Sequence, residues 1–338
     1  MKISMTSALL VVGVLLASVA NGQSGVKNLE GKVVIDGSST VAPISIEAAD
    51  MFQEVCPKVK VPVGVSGTGG GFKRFTKGET DISDASRPIK AKEFKQCLEN
   101  KIDFVELPVA YDGLTVVVNK KNDFVDQLTV DQLKMIFRAD IKAKTWNDVK
   151  EGWPKEDIKI FSPGTDSGTF DYFKEVMVGK EKASIREDMS VSEDDNVLVS
   201  GVANNVYAIG FFGAAYYFEN SDKLKAVPIV NKSGKAVGPT PEAIEKGSYN
   251  PFSRPLFIYV NAKSLKRPEV KVFVQHYLDN AADMADEVGY VGLPDEISDQ
   301  AMARFKSRKT GTHFLTKDHE KRSGSVAEIY QEENIVRQ

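Results

Sequence analysis

The sequence predicts an α/β fold, on three observations. Short β-rich runs alternate with segments of helical periodicity from Lys32 onward. Three of the turns that join strand to helix are built from hydroxyl residues and glycine: "GSST" at 37–40, "SGTGGG" at 66–71 and "SGT" at 167–169. No internal period is long enough for a solenoid. Such alternation implies parallel sheet, in which ligands sit at the loops leaving the carboxyl ends of the strands. All three turns belong to that face.

The elements follow in order. "KVVID" (32–36) reads as a strand, and Val41, Ile44, Ala48, Phe52 and Val55 keep helical spacing after it. "KVPVGV" (60–65) is a strand that feeds "SGTGGG", with Phe72 and Phe75 in the next helix. "TDIS" is a short strand and "AKEFKQCLEN" (91–100) a helix. "FVELPVAYDGLTVVVN" (104–119) reads as two strands broken at Tyr-Asp-Gly. Thr129 and Gln132 form a capping box ahead of Val130, Leu133 and Phe137. "IKIF" is a strand, and Phe170, Phe173 and Met177 align on the helix that follows. "VYAIGFF", "LKAVPIV" and "PLFIYV" are further strands, and helices are expected at 267–287 and 295–306.

The 338 residues, 42% hydrophobic and 27% charged, suffice for two domains and a substantial core. The first residues stand apart: Lys2, then the apolar run "ALLVVGVLLASVA", then small residues at the positions a signal peptidase reads. Residues 1–22 are therefore expected to be a secretory signal, cleaved after Ala20 or Gly22. The apolar run is short of the ~20 residues a spanning helix needs, and no Cys follows it to carry a lipid. The formal charge of −3, one unit lower without Lys2, excludes a typical nucleic-acid or anionic-membrane binder. Two cysteines, Cys56 and Cys97, suggest a disulfide in an oxidising compartment. His276, His313 and His319 show no metal-ligand spacing, so no metal and no cofactor are expected.

A helix N-terminus offers unpaired N–H groups and the positive end of a dipole. Hydroxyls add donors and glycine admits a ligand close to the backbone, which together make an anion site. One such turn is ordinarily only a helix cap; three in one chain point to a shared ligand. "GVSGTGGGFKRF" lacks the ending of a Walker loop, "GTGGGF" misses the dinucleotide spacing, and neither "GVSGT" nor "GTDSG" is a nucleophile elbow. What remains is a cradle for a small oxyanion.

"GSSTVAPI", "GVSGTGGGFKRF", "DISDASRPI" and "SGTFDYF", in this order and with "NVYAIGFFGAAYY" and "GYVGLP" behind them, resemble the periplasmic phosphate-binding proteins of ABC uptake systems, the PstS type. The resemblance spans nearly the whole chain after the leader. It implies the two-lobed periplasmic binding protein fold of type II, with two crossovers and the ligand in the interlobe cleft. Lobe I would comprise 24–108 plus 258–338, and lobe II 109–257, crossing near "LPVAYDG" and "SRPLFIY". Carried over by position, Ser39 and Thr40, then Thr68, Gly69 and Gly70, then Ser86 would donate from lobe I, and Ser167, Gly168 and Thr169 from lobe II.

Two positions depart from the family pattern. Arg87 stands where an Asp is common, and no Arg precedes the second "SGT". Arg87 is therefore expected to be the single charged donor. Phosphate keeps a proton near neutral pH whereas sulfate has none, so a buried carboxylate that accepts it would discriminate by roughly 10⁴–10⁵-fold. Asp84 and Asp166 are the candidates.

The resemblance thus implies a monomeric, non-enzymatic binding protein, periplasmic or secreted, that takes inorganic phosphate and delivers it to the membrane permease of an ABC transporter. A binding protein for sulfate or molybdate, and a secreted phosphatase using one of the serines, are the alternatives. "RFKSRKTGTHFLTKDHEKR" (304–322) reads as a solvated face or tail, "SEDDNVL" (192–198) as an acidic surface turn, and Trp146 and Trp153 as packing residues.

Overall fold

The computed structural model describes residues 27–337, apart from positions 166, 180, 181 and 193. The expected leader at 1–22 lies outside these residues, as does the candidate acceptor Asp166. Among the described residues no helix is long and apolar enough to cross a membrane.

The chain runs β1 (Ile35–Gly37), α1 (Ala42–Val55), β2 (Val63–Gly64), α2 (Gly67–Phe75), β3 (Ile82–Ala85), α3 (Ala91–Glu99) and β4 (Phe104–Asn119). It continues with α4 (Val130–Phe137), β5 (Lys159–Pro163), α5 (Gly168–Val178), β6 (Ser190–Ser192), α6 (Asp195–Ala203), β7 (Ala208–Gly213) and β8 (Leu224–Ala226). β9 (Ser253–Asn261), α7 (Pro268–Asp279), α8 (Ala281–Glu287) and α9 (Asp295–Ser307) follow, before two short helical turns near the end. The main sheet has the order β2-β1-β3-β9-β4-β7-β5-β6, with β8 also paired to β4. β1 is parallel to β2 and β3, and β5 is parallel to β6 and β7. β9 is antiparallel to both β3 and β4.

β4 and β9 tie two halves together. Phe104–Gly113 of β4 pair with β9, and Leu114–Val118 pair with β7. The Tyr-Asp-Gly segment expected to break this strand does not; β4 is one buried element of 16 residues. Gly113 is small for packing rather than for turning: a Cβ there would lie 2.6 Å from Ile244 Cδ1. Proline does interrupt two expected strands, since Pro62 and Pro228 cannot donate to a ladder. "KVPVGV" divides into Val59–Lys60 and Val63–Gly64, and "LKAVPIV" into Leu224–Ala226 and Ile229–Val230. The helix expected over 267–287 is two helices meeting at Asn280.

The core lies on both faces of the first half. On one, Phe52 of α1 meets Phe273 of α7 edge-on at 5.2 Å. On the other, Phe72 of α2 and Phe94 of α3 pack against Tyr259 and Phe104 of the sheet, at 4.9 and 6.1 Å. Each such burial is worth about 1.5–3 kcal/mol. Val55, placed on the apolar face by its spacing, is exposed, as is Leu98 of α3. The second half closes around Phe173, stacked on Phe211 at 3.9 Å, and around Trp146, with Trp153 partly buried against the core.

The expected disulfide is not formed. Cys56 and Cys97 are separate buried thiols. Cys56 ends α1, on the α7 face, whereas α3 carries Cys97 on the face of Phe72 and Phe94, so the sheet stands between them. Burial raises both thiol pKa values, that of Cys97 to about 12 with help from the charge of Glu93.

The basic stretch 304–322 is not a solvated tail either. Arg304, Thr312, His313, Phe314 and Leu315 are buried. A wholly buried carboxylate, Glu106 of β4, holds the segment. It accepts from Thr312 Oγ1 at 2.6 Å, Tyr259 OH at 2.9 Å and the His313 N–H at 2.9 Å.

Candidate functional site

Two glycines bring the first two turns together. Gly37 ends β1 at φ 153°, and a Cβ there would lie 2.2 Å from the main-chain oxygen of Asp84. Gly71 of α2 sits on it, where a Cβ would lie 2.6 Å from the Gly37 Cα. The glycine run in "SGTGGG" therefore lets helix approach strand, beyond any capping need. Asp36 of β1 fixes the second turn. It accepts from the Ser66 N–H (3.1 Å), Ser66 Oγ (2.9 Å) and Arg74 Nη1 (2.8 Å). Thr68 Oγ1 lies 3.1 Å from Ser86 Oγ and accepts from the Ser86 N–H, which joins the second turn to "ASR".

At the first turn the hydroxyls of Ser39 and Thr40 do not cap α1. The main-chain oxygen of Ser38 accepts from the N–H groups of Val41 and Ala42. Ser39 Oγ instead donates to Asp171 Oδ2 at 3.0 Å, and Thr40 Oγ1 accepts from Arg254 Nη2 at 2.9 Å. Both contacts cross from the first half to other parts of the molecule. At the third turn Ser167 does cap its helix, accepting from the N–H groups of Thr169 and Phe170. Gly168 abuts the first turn, since a Cβ there would lie 2.9 Å from the Thr40 Cα.

Between these turns lies a cleft of ≈ 380 Å³. Ser39, Thr40, Thr68, Gly69, Ser86 and Arg87 line it, as the sequence predicts, with Ser38, Lys90, Asp171, Tyr172, Glu175 and Arg254. Gly70 is not among the lining residues, and a Cβ there would lie 2.6 Å from Ser66 Oγ. Ser167, Gly168 and Thr169 stand at the head of α5, beside this wall.

Arg87 is not the single cation. Its guanidinium makes two bonds to Glu93, at 2.8 and 2.9 Å, and Lys90 and Arg254 share the wall. Arg254 is not predicted from the sequence, where "SRPLFIY" reads only as a crossover. It is held on every side: Nε donates to Asp112 Oδ2 at 3.1 Å, Nη1 to Glu175 Oε2 at 3.2 Å, and the guanidinium lies 3.5 Å from the Tyr172 ring centroid. Asp112 stands opposite Arg254 in register on the other crossing strand, wholly buried. Burial pushes its carboxyl pKa up and the Arg254 charge opposes this. The available signal was opposite charges in both crossovers, inside otherwise apolar strands.

Asp84 does not reach the cleft wall. Its neighbour Ser83 faces Gly71 of α2, so Asp84 points to the opposite face of β3, where Ser45 and Tyr277 lie. Among the described residues neither of its carboxylate oxygens has a hydrogen-bond partner. Burial raises its pKa to about 7, partly opposed by Ser45 and reinforced by Asp36. Among the described residues no cluster of His, Cys, Asp and Glu is arranged to hold a metal ion.

Residues 21–281 match the family model described as the PBP superfamily domain. The chain is 48% identical over 305 residues to Protein SphX of Synechococcus elongatus, covering 90% of this chain and 89% of that one. It is 43% identical over 277 residues to the phosphate-binding protein PstS of Staphylococcus aureus, covering 82% and 83%. Among solved structures, a possible phosphate binding protein from Planctomyces limnophilus is 47% identical with a TM-score of 0.80, over 83% of this chain and 99% of that one. An ABC-type phosphate transport receptor from Vibrio cholerae, 24% identical with a TM-score of 0.60 over 78% of this chain and all of that one, shares the fold. With its halves joined by two crossing strands and a cleft between them, the chain belongs to the PBP superfamily and has the two-lobed fold of the PstS-type binding proteins.

Proposed function

We propose that this protein captures inorganic phosphate in the cleft and delivers it to the membrane permease of an ABC transporter. It is a binding protein and not an enzyme, in keeping with its family. The observation that carries the ligand reading is Arg254. A guanidinium anchored to a buried carboxylate, with hydroxyl and backbone donors around it, suits a small tetrahedral oxyanion. Ser39, Thr40, Thr68, Gly69, Ser86 and Arg87 would donate from one lobe, and Gly168 and Thr169 of the "SGT" turn from the other. Two similar proteins above 40% identity whose names specify phosphate support the choice of anion.

The lobes are taken as 24–108 plus 258–338 and 109–257, hinged on β4 and β9 and closing over the ligand. Export through a cleaved leader at 1–22, a periplasmic or secreted location and a monomeric state complete the proposal. The test is calorimetry on protein unfolded and refolded to strip co-purified ligand, titrating phosphate in excess sulfate. Tight one-to-one binding that survives sulfate is the expected result. Binding that sulfate abolishes would turn the assignment to another oxyanion.

A further inference from the structure

Two carboxylates stand on the wall of a cleft assigned to an anion. Asp171 and Glu175 lie four residues apart on α5, hence on one face of it. Each engages a group assigned to the ligand: Asp171 accepts from Ser39 Oγ, and Glu175 from Arg254 Nη1. Arg254 thus touches two acids of different character. Asp112 is buried and fixed by its register in β4. The Glu175 side chain is 70% exposed and can turn to water, and ion pairs so exposed are weak.

Resting on the phosphate reading, we propose that Glu175 is an internal counter-anion of Arg254, which the incoming phosphate displaces from Nη1. Arg254 does not need Glu175 for its position, because Asp112, Thr40 and the Tyr172 ring hold the guanidinium from three other sides. Glu175 therefore acts mainly through charge. It competes for Nη1 before the ligand arrives and repels the bound anion afterwards, so it holds affinity below what the donors alone would give.

The test is calorimetry of phosphate with wild type, Glu175→Gln and Glu175→Ala, and with Glu187→Gln, which removes one charge from an exposed position that does not line the cleft. Melting curves check that each variant is folded. Both Glu175 variants should bind phosphate roughly two- to fivefold tighter, with a larger gain at low salt, and Glu187→Gln should match wild type. Unchanged affinity in both Glu175 variants would overturn the proposal. So would weaker phosphate binding with a gain in sulfate binding, which would make Glu175 the acceptor of the phosphate proton. Failure of the wild type to bind phosphate would instead remove the functional reading, and this proposal with it.

Discussion

Glu106 and Asp84 are both wholly buried carboxylates of the first half, on strands separated only by β9. Their surroundings have opposite effects. Burial pushes both pKa values upward. At Glu106 this is outweighed by hydrogen bonds and charge from His313, by the Thr312 hydroxyl and by the His313 N–H, and the pKa falls below the ordinary value. Among the described residues Asp84 has no well-formed hydrogen bond on either oxygen, the Ser45 hydroxyl opposes burial only in part, and its pKa rises to about 7. Depth therefore does not decide ionisation in this core; the donors do. Glu106 is an anchor for the C-terminal segment, whereas Asp84 is buried without a hydrogen-bonded donor among the described residues. Asp112 is half satisfied, with Oδ2 on Arg254 and, among the described residues, no partner for Oδ1.

The contrast can be broken most severely at Glu106. Glu106→Ala leaves the Thr312, Tyr259 and His313 donors unpaired and should cost on the order of 3–5 kcal/mol in denaturant unfolding at neutral pH. Because the folded pKa of Glu106 is depressed, its contribution is present above its unfolded pKa and lost as pH falls through the lower, folded value. The deficit of the variant should shrink in acid. A deficit under about 1 kcal/mol would show that the network contributes little.

Arg254→Met would make Asp112 resemble Asp84, buried with no charged partner. Phosphate affinity should fall on the order of 100-fold in calorimetry, the cost of a buried charge-assisted contact. A loss confined to Arg87→Met, with Arg254→Met binding as wild type, would return the cation role to Arg87.

Asp84→Asn should have the reverse sign. The folded pKa of about 7 lies above the ordinary 3.8, so the folded chain holds the extra proton between these values and wild-type stability falls as pH rises through that window. The variant should gain roughly 1–3 kcal/mol over wild type at about pH 8 and lose that advantage by about pH 4. Parallel stability curves for the two proteins would refute the raised pKa. The smallest effect is expected at Thr312→Val, which removes one donor from Glu106 and should cost about 1–2 kcal/mol.

Much of this molecule is legible in one dimension. The strand–helix alternation, the Thr129–Gln132 capping box and the Phe170, Phe173 and Met177 face depend on neighbours within a turn or two, and the structure has them. The hydroxyl turns lie together because the strands of the two halves run towards each other, β1 and β2 delivering carboxyl ends from one side and the oppositely directed β5 from the other, and six of the predicted residues line the cleft. Local signals failed where a distant partner intervened. "AYDGL" reads as a break until Arg254, 142 positions on, pairs with Asp112 and keeps the strand running. "KTGTHFL" reads as solvated until Glu106, more than 200 positions away, supplies its counter-charge.

By itself, then, the sequence determined the α/β class, the three turns and the residue types of an anion site, since propensity, periodicity and capping are short-range. The tertiary structure alone decided which cation faces the cleft, which carboxylates stand on its wall and on which faces of the sheet the two thiols lie. Those depend on strand register and on charge pairing across long loops, which no local pattern encodes.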